Sequence, residues 1–238
     1  MMRLLILAVL LFLGASGVYS KDSKFLIDDF EDMNLTFNPE WFQFGDGIFN
    51  IQSTQKIVKI DLKGRFLSFI KGFLDKPVSQ DPPYSSQKTS LCVTGGGTHW
   101  YVGGLGTYLA IDVRPLTHLG AYIKGDRRYP CRIKIEILED DNNNWQIEQD
   151  IDHDFKPLFD DKFVYELNVN WDGWKRVQIP FLSFRDSNPG VGDDKWNPYQ
   201  RKNSGGLIQL QLVFLTPQSS PNAKIYAEID SLYFYKIK

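Results

Sequence analysis

Three stretches of this sequence alternate with a period of two. Ile133, Ile135 and Ile137 stand opposite Arg132, Lys134 and Glu136; Ile208, Leu210, Leu212 and Phe214 alternate with Gln209, Gln211 and Val213; Ile225, Ala227 and Ile229 alternate with Lys224, Tyr226 and Glu228. Successive Cβ atoms of an extended chain point to opposite sides, so each stretch makes a strand with one face for a core and one for water. Shorter strands are expected at residues 25–30, 41–44, 91–94, 108–113, 119–124, 145–149, 163–168 and 175–179. Turn-forming clusters separate them: Gly95-Gly96-Gly97, Asp140-Asp141-Asn142-Asn143-Asn144, and residues 186–192. Many short strands with such punctuation, and almost no helical periodicity between them, predict an all-β antiparallel β-sandwich rather than a doubly wound fold.

One segment departs from this period. Between residues 65 and 74, Phe66, Phe69, Ile70, Phe73 and Leu74 recur at helical spacing, with Lys63, Arg65, Lys71 and Lys76 around them and Pro77 ending the run. The pattern is a short basic amphipathic helix, which either packs on its own domain or docks on a membrane surface or a partner. With Pro82-Pro83 beyond it, the stretch near 63–88 reads as an insertion. No internal repeat and no second block of composition divides the 238 residues, so one domain is expected over residues 21–238. The 27 Lys and Arg against 29 Asp and Glu leave a net charge of −2, with no basic excess to neutralise phosphates, which argues against a nucleic-acid partner. The 14% aromatic content suits both β-structure and ligand surfaces built from flat rings.

The N-terminus reads as an export signal over residues 1–20: a cation at Arg3, an apolar run at residues 4–13, then Gly14, Ala15, Ser16 and Gly17. The run is shorter than the ~20 residues that span a bilayer. The mature chain is therefore expected outside the cytoplasm, secreted or periplasmic. An oxidising compartment permits a bridge between Cys92 and Cys131; the alternative is two buried free thiols. Asn34-Leu35-Thr36 is a glycosylation sequon in a cell that glycosylates.

Nothing in the chain supports catalysis. His99, His118 and His153 are the only histidines, no Gly-x-Ser-x-Gly elbow is present, and Gly95-Gly96-Gly97-Thr98 lacks the lysine of a phosphate-binding loop. The Asp140–Asn144 cluster offers oxygen ligands of the kind calcium takes. It lacks the glycine and distal glutamate of an EF-hand loop and reads as a polar hairpin tip.

Three short stretches stand in order along the chain: Leu26-Ile27-Asp28-Asp29-Phe30-Glu31-Asp32, then Trp171-Asp172-Gly173-Trp174-Lys175-Arg176-Val177-Gln178-Ile179-Pro180-Phe181, then Ile229-Asp230-Ser231-Leu232-Tyr233. Together they resemble the galactose-binding-like β-sandwich domains, in particular family 11 carbohydrate-binding modules and the related domain of complex I intermediate-associated protein 30. The resemblance implies a jelly roll, saccharide binding on a concave sheet face, and a structural calcium near the chain ends. By resemblance, the calcium role falls to Glu31 and Asp230, and to Asp29 beside them. Glu31 and Asp230 come together if the first and last strands pair.

On the polar side of the expected strands lie Tyr122, Arg132, Lys134, Glu136, Arg176, Gln178, Gln209 and Gln211. Sugar recognition asks for planar hydrogen-bonding groups and an aromatic ring for the apolar face of the pyranose, and these residues supply both. Trp100, Tyr101 and Trp196, in loop-like surroundings, are candidates to close a cleft. The expectation is a secreted, non-catalytic carbohydrate-binding protein. The alternative is a protein–protein assembly factor of the same fold, docking through the helix at 65–74.

Overall fold

Every ladder among the described strands is antiparallel. The structure, a computed structural model, describes residues 24–53, 88–96, 100–153 and 155–237. The expected export signal and the helix at 65–74 lie outside those residues. In chain order the strands are β1 (Lys24–Asp28), β2 (Trp41–Gly45), β3 (Ile48–Ser53), β4 (Thr89–Gly96), β5 (Tyr101–Ile111), β6 (His118–Gly125), β7 (Cys131–Glu139), β8 (Gln149–Asp150), β9 (Lys156–Pro157), β10 (Lys162–Val169), β11 (Gly173–Pro180), β12 (Arg185–Asp186), β13 (Leu207–Leu215) and β14 (Lys224–Tyr235).

Twelve of them form two six-stranded sheets, and β8 and β9 pair with each other. One runs β11-β6-β14-β4-β3, with β1 also paired to β14; the other runs β12-β10-β7-β13-β5-β2. We call them the β14 sheet and the β13 sheet. From β4 to β7 the chain changes sheet at every strand, so sequence neighbours rarely pair, as a jelly roll requires. The strand β14 is long enough to serve two partners on one edge. Its first half pairs with β4, from Lys224↔Gly96 to Ile229↔Leu91, and its end pairs with β1.

The core lies between the sheets. Leu91, Val93, Ala121, Ile123, Ala227 and Ile229 of the β14 sheet share it with Leu105, Ile133, Ile135, Ile137, Leu210, Leu212 and Phe214 of the β13 sheet. Phe49 of β3 meets Phe214 of β13 across the interior at 5.8 Å. The period-two stretches thus put their apolar sides inward, except at Ile208: the register shifts between Leu207 and Gln209, and Leu207 takes the core place instead. At the end of β11, Pro180 withholds a ladder donor and a single 3-10 turn, Phe181–Ser183, comes next.

Three further expectations are corrected. Gly95 and Gly96 continue β4 rather than turning, paired to Ile225 and Lys224. Residues 145–148 are not a strand, and only Gln149 begins one, the short β8: Asn143 and Trp145 hold φ of 62° and 65°, and the Asp140 carboxylate accepts from the Asn144 and Trp145 amides, closing a bend. The acidic cluster after Glu139 is not a hairpin tip but one side of a neck. Strands β7 and β10 pair from Leu138↔Lys162 onward, and residues 140–161 leave and return between them. Of the two alternatives left open for the cysteines, the structure has the free thiols: Cys92, half-buried, and Cys131, buried, are unbridged. Cys131 is in the core, whereas Cys92 alternates with core residues Leu91 and Val93 and points away from it. The β14 sheet therefore stands between the two thiols.

Candidate functional site

The outward side of the β13 sheet gathers most of the polar candidates. Pairing fixes the rows. Phe42, Gly106, Gln211, Glu136 and Val164 are successive neighbours across β2, β5, β13, β7 and β10, and Phe44, Gly104, Val213, Lys134 and Glu166 form the next row. Tyr108 and Gln209 pair in the row beyond Gln211. Leu138 and Val213 on this side are buried under their neighbours.

The glycines of β5 explain one edge. A Cβ on Gly106 would run into the Phe42 ring, and one on Gly104 into the Phe44 ring. Without side chains there, both rings lie down on the strand, stacked with centroids 6.1 Å apart. Phe42 keeps 41% of its surface exposed. Further along, Tyr108 is 52% exposed and donates its hydroxyl to the Trp145 carbonyl at 3.0 Å, while Trp145 itself is 43% exposed. Toward the other end, Tyr101 meets Trp100 edge-on at 6.1 Å. Burial, with Asp46 and Glu136 nearby, holds the Tyr101 phenol above its usual value, so it keeps its proton to donate.

Between these aromatics the polar groups hold one another. Gln211 Nε2 donates to Gln209 Oε1 at 2.7 Å; Lys134 pairs with Glu136. Arg132 donates to Glu166 at 2.9 Å and to the Thr216 carbonyl at 3.2 Å. Such groups stand ready on rigid strands, with donors and acceptors side by side, which is what vicinal hydroxyls need.

The structure does not bring all the sequence candidates together. Trp100, Tyr101, Arg132, Lys134, Glu136, Gln209 and Gln211 share this side. Tyr122, Arg176 and Gln178 lie on the outward side of the β14 sheet, where Arg176↔Tyr122 pair across β11 and β6. There Arg176 donates to the Tyr233 hydroxyl at 3.3 Å and Gln178 bonds Tyr235. Trp196 closes no cleft. It packs against Phe163 at 5.2 Å and Phe181 at 5.0 Å, as an apolar plug at the end of the sandwich. Sequence reasoning missed Phe42, Phe44, Tyr108 and Trp145. The alternation of Trp41 with Phe42 and Phe44, beside a strand rich in alternate glycines, is the signal that marks the first two.

The acids of the calcium expectation lie near the junction of the first and last strands. Strand β1 pairs with β14, Leu26↔Tyr233, and the register shifts at Asp28↔Leu232. Beside that junction Glu31 Oε1 accepts from the amides of Lys88 at 2.6 Å and Thr89 at 3.0 Å, tying the exit of β1 to the start of β4. Asp230 is fully buried; its Oδ1 accepts from Ser231 and its Oδ2 has no hydrogen-bond partner. Burial, with the charges of Glu31 and Asp29 nearby, pushes the Asp230 carboxyl up to about 7.

No protein-family model matches this sequence, and no curated protein matches it. Among solved structures the chain is similar to the family 11 carbohydrate-binding module from Clostridium thermocellum in complex with a beta-1,3-1,4-mixed-linked tetrasaccharide. That likeness has 15% identity and a TM-score of 0.50, over 91% of this chain and 98% of that one. It is also similar to the solution structure of CtCBM11, at 16% identity and a TM-score of 0.52, over 92% of this chain and 99% of that one. The likeness is one of fold: this chain is an antiparallel β-sandwich of the kind that family 11 carbohydrate-binding modules adopt.

Proposed function

We propose that the chain is a secreted, non-catalytic glycan-binding protein whose ligand lies across the outward face of the β13 sheet. The observation that carries this reading is the pair of stacked Phe42 and Phe44 rings, laid on the glycines of β5 beside the Gln211–Gln209 amides. A pyranose presents an apolar C–H face and a rim of hydroxyls. The rings take the first; Gln209, Gln211, Glu136 and Lys134 take the second. Because the strands hold these groups in place, little ordering is left to offset the contacts. Tyr108 with Trp145, and Tyr101 with Trp100, bound the face at its two ends. Export rests on the leader pattern of residues 1–20. A structural calcium at Asp230 and Glu31, with Asp29 beside them, belongs to the same reading; the partnerless Asp230 Oδ2 is the oxygen such an ion takes. It supplies rigidity where β1 and β14 join, not chemistry.

The test is affinity electrophoresis of the mature protein through gels of neutral polysaccharides, beginning with β-1,3-1,4-mixed-linked glucan, together with a glycan array. Retardation by at least one polysaccharide is expected. Free migration through all of them, with a protein partner co-purifying instead, would favour the assembly-factor reading.

A further inference from the structure

The neck of the β7–β10 excursion holds acids that the candidate face does not use. Glu139 ends β7, Asp141 lies two residues later, and Asp161 stands on the returning chain one residue before β10. Carboxylate oxygens of the three lie within 4.8 Å of one another. Glu139 and Asp161 are 2% and 0% exposed. Each buried carboxylate is only half occupied. Glu139 Oε2 accepts from the Asn197 amide at 3.1 Å and Asp161 Oδ2 from the Lys195 amide at 3.2 Å, while Glu139 Oε1 and Asp161 Oδ1 are buried with no partner. Asp141 Oδ2 accepts from the Asp161 amide at 2.8 Å.

A third segment covers the cluster. Gly192, at φ +77°, passes over it so closely that a Cβ there would run into both Asp141 Oδ2 and Asp161 Oδ1. A side chain would fill the gap between these oxygens, and glycine leaves it open. Among the described residues no Lys, Arg or His pairs with the three acids; the nearby Lys195 ammonium goes to Asp193 at 3.3 Å. Three carboxylates gathered together, two of them buried with idle oxygens and Asp141 half-buried beside them, cost free energy unless a cation stands among them. Burial and mutual repulsion are strong enough to push Glu139 up to about 9 and Asp161 up to about 7 when nothing balances them.

We propose that Glu139, Asp141 and Asp161 bind one divalent cation, Ca2+, clamping the neck of the excursion to the segment that carries Gly192, Lys195 and Asn197. The donors are all hard oxygens with no nitrogen or sulfur, which disfavours zinc. They come from two stretches of chain, residues 139–141 and residue 161, an irregular set that suits the tolerant shell of calcium better than the tight octahedron of magnesium. The site is separate from the Asp230 end of the molecule and is built from other strands.

The whole chain, stripped with EDTA, is melted and titrated calorimetrically with CaCl2 and with MgCl2, beside Asp161→Asn, Glu139→Gln and Asp230→Asn. Calcium is expected to raise the wild-type midpoint by about 5–10 °C at saturating concentration. One equivalent of bound calcium disappears in Asp161→Asn and Glu139→Gln but remains in Asp230→Asn. Metal-free Asp161→Asn melts no lower than the metal-free wild type, because it removes a buried unpaired charge. Terbium is a second readout that needs no variant: Trp196 lies between the two residues whose amides touch the cluster, so its excitation should sensitise bound terbium, and calcium should quench the emission. The proposal is overturned if Asp161→Asn and Glu139→Gln bind as much calcium as the wild type, if magnesium alone binds, or if neither a melting shift nor calcium-displaceable terbium emission is found.

Discussion

Truncating Phe42 isolates the aromatic contribution of the candidate face. An aromatic side chain offers roughly 200 Å², and with 41% of Phe42 exposed a sugar ring covers at most about 80 Å² of it. At ~25 cal/mol per Å² that stacking contributes about 2 kcal/mol, a factor of ~30 in Kd. The rest of the ring lies on Gly106 and beside Phe44, so Phe42→Ala also lowers folding stability, by about 1–2 kcal/mol. The two effects separate cleanly: isothermal titration with the best-retarding oligosaccharide reads the first, and urea denaturation of the free protein reads the second. Gly106→Val is a companion that removes no aromatic carbon; its side chain drives the ring off the strand, and a loss of affinity close to that of Phe42→Ala is expected. Gln178→Ala, on the opposite sheet, should bind within twofold of the wild type. A folded Phe42→Ala protein that keeps wild-type affinity, or a Gln178→Ala protein that loses it, would refute the placement of the ligand on the β13 sheet.

Other substitutions test the remaining assignments. Trp196→Ala, which empties the space between Phe163 and Phe181, should cost about 3 kcal/mol in urea denaturation and leave affinity per folded molecule within twofold. Asp28→Ala strands two buried donors, the Trp41 indole N–H and the Phe30 amide, each now 2.7 Å from a carboxylate oxygen; a loss of about 2–4 kcal/mol in the same assay is expected. For the cysteines, alkylation and then intact mass should find two free thiols, with Cys131 reacting only after unfolding and the melting midpoint indifferent to reductant.

The legible parts of the fold are those where one strand shows one clean side. Residues 132–138 and 208–214 carry their core side openly, and the structure places Ile133, Ile135, Ile137, Leu210, Leu212 and Phe214 between the sheets. Strand β3 was not expected, because Ile48, Phe49 and Ile51 break the alternation, and the first half of β5 was hidden by Gly103, Gly104 and Gly106, which read locally as breakers. Gly104 and Gly106 lie where the rings of Phe44 and Phe42 occupy the space that side chains would fill, and Gly103 where the Phe44 carbonyl does, facts written in another part of the chain. The same limit acted on the site. Arg176 and Gln178 have the same alternating pattern as Gln209 and Gln211, yet they face the other side of the molecule.

Covalent geometry acting on the order of residues is enough to dictate the extended segments, the inward and outward side of each, and an antiparallel sandwich to bury the inward ones. Those properties depend on residues two apart. Which of two sheets a strand joins, and which carboxylates meet, depend on pairings across tens of residues, selected by the free energy of the whole core rather than by any local pattern. It therefore took the assembled sandwich to divide the polar candidates between two faces, lay Phe42 and Phe44 on the glycines of β5, and gather Glu139, Asp141 and Asp161 under Gly192. A buried carboxylate with an idle oxygen looks, in sequence, like any solvated acid.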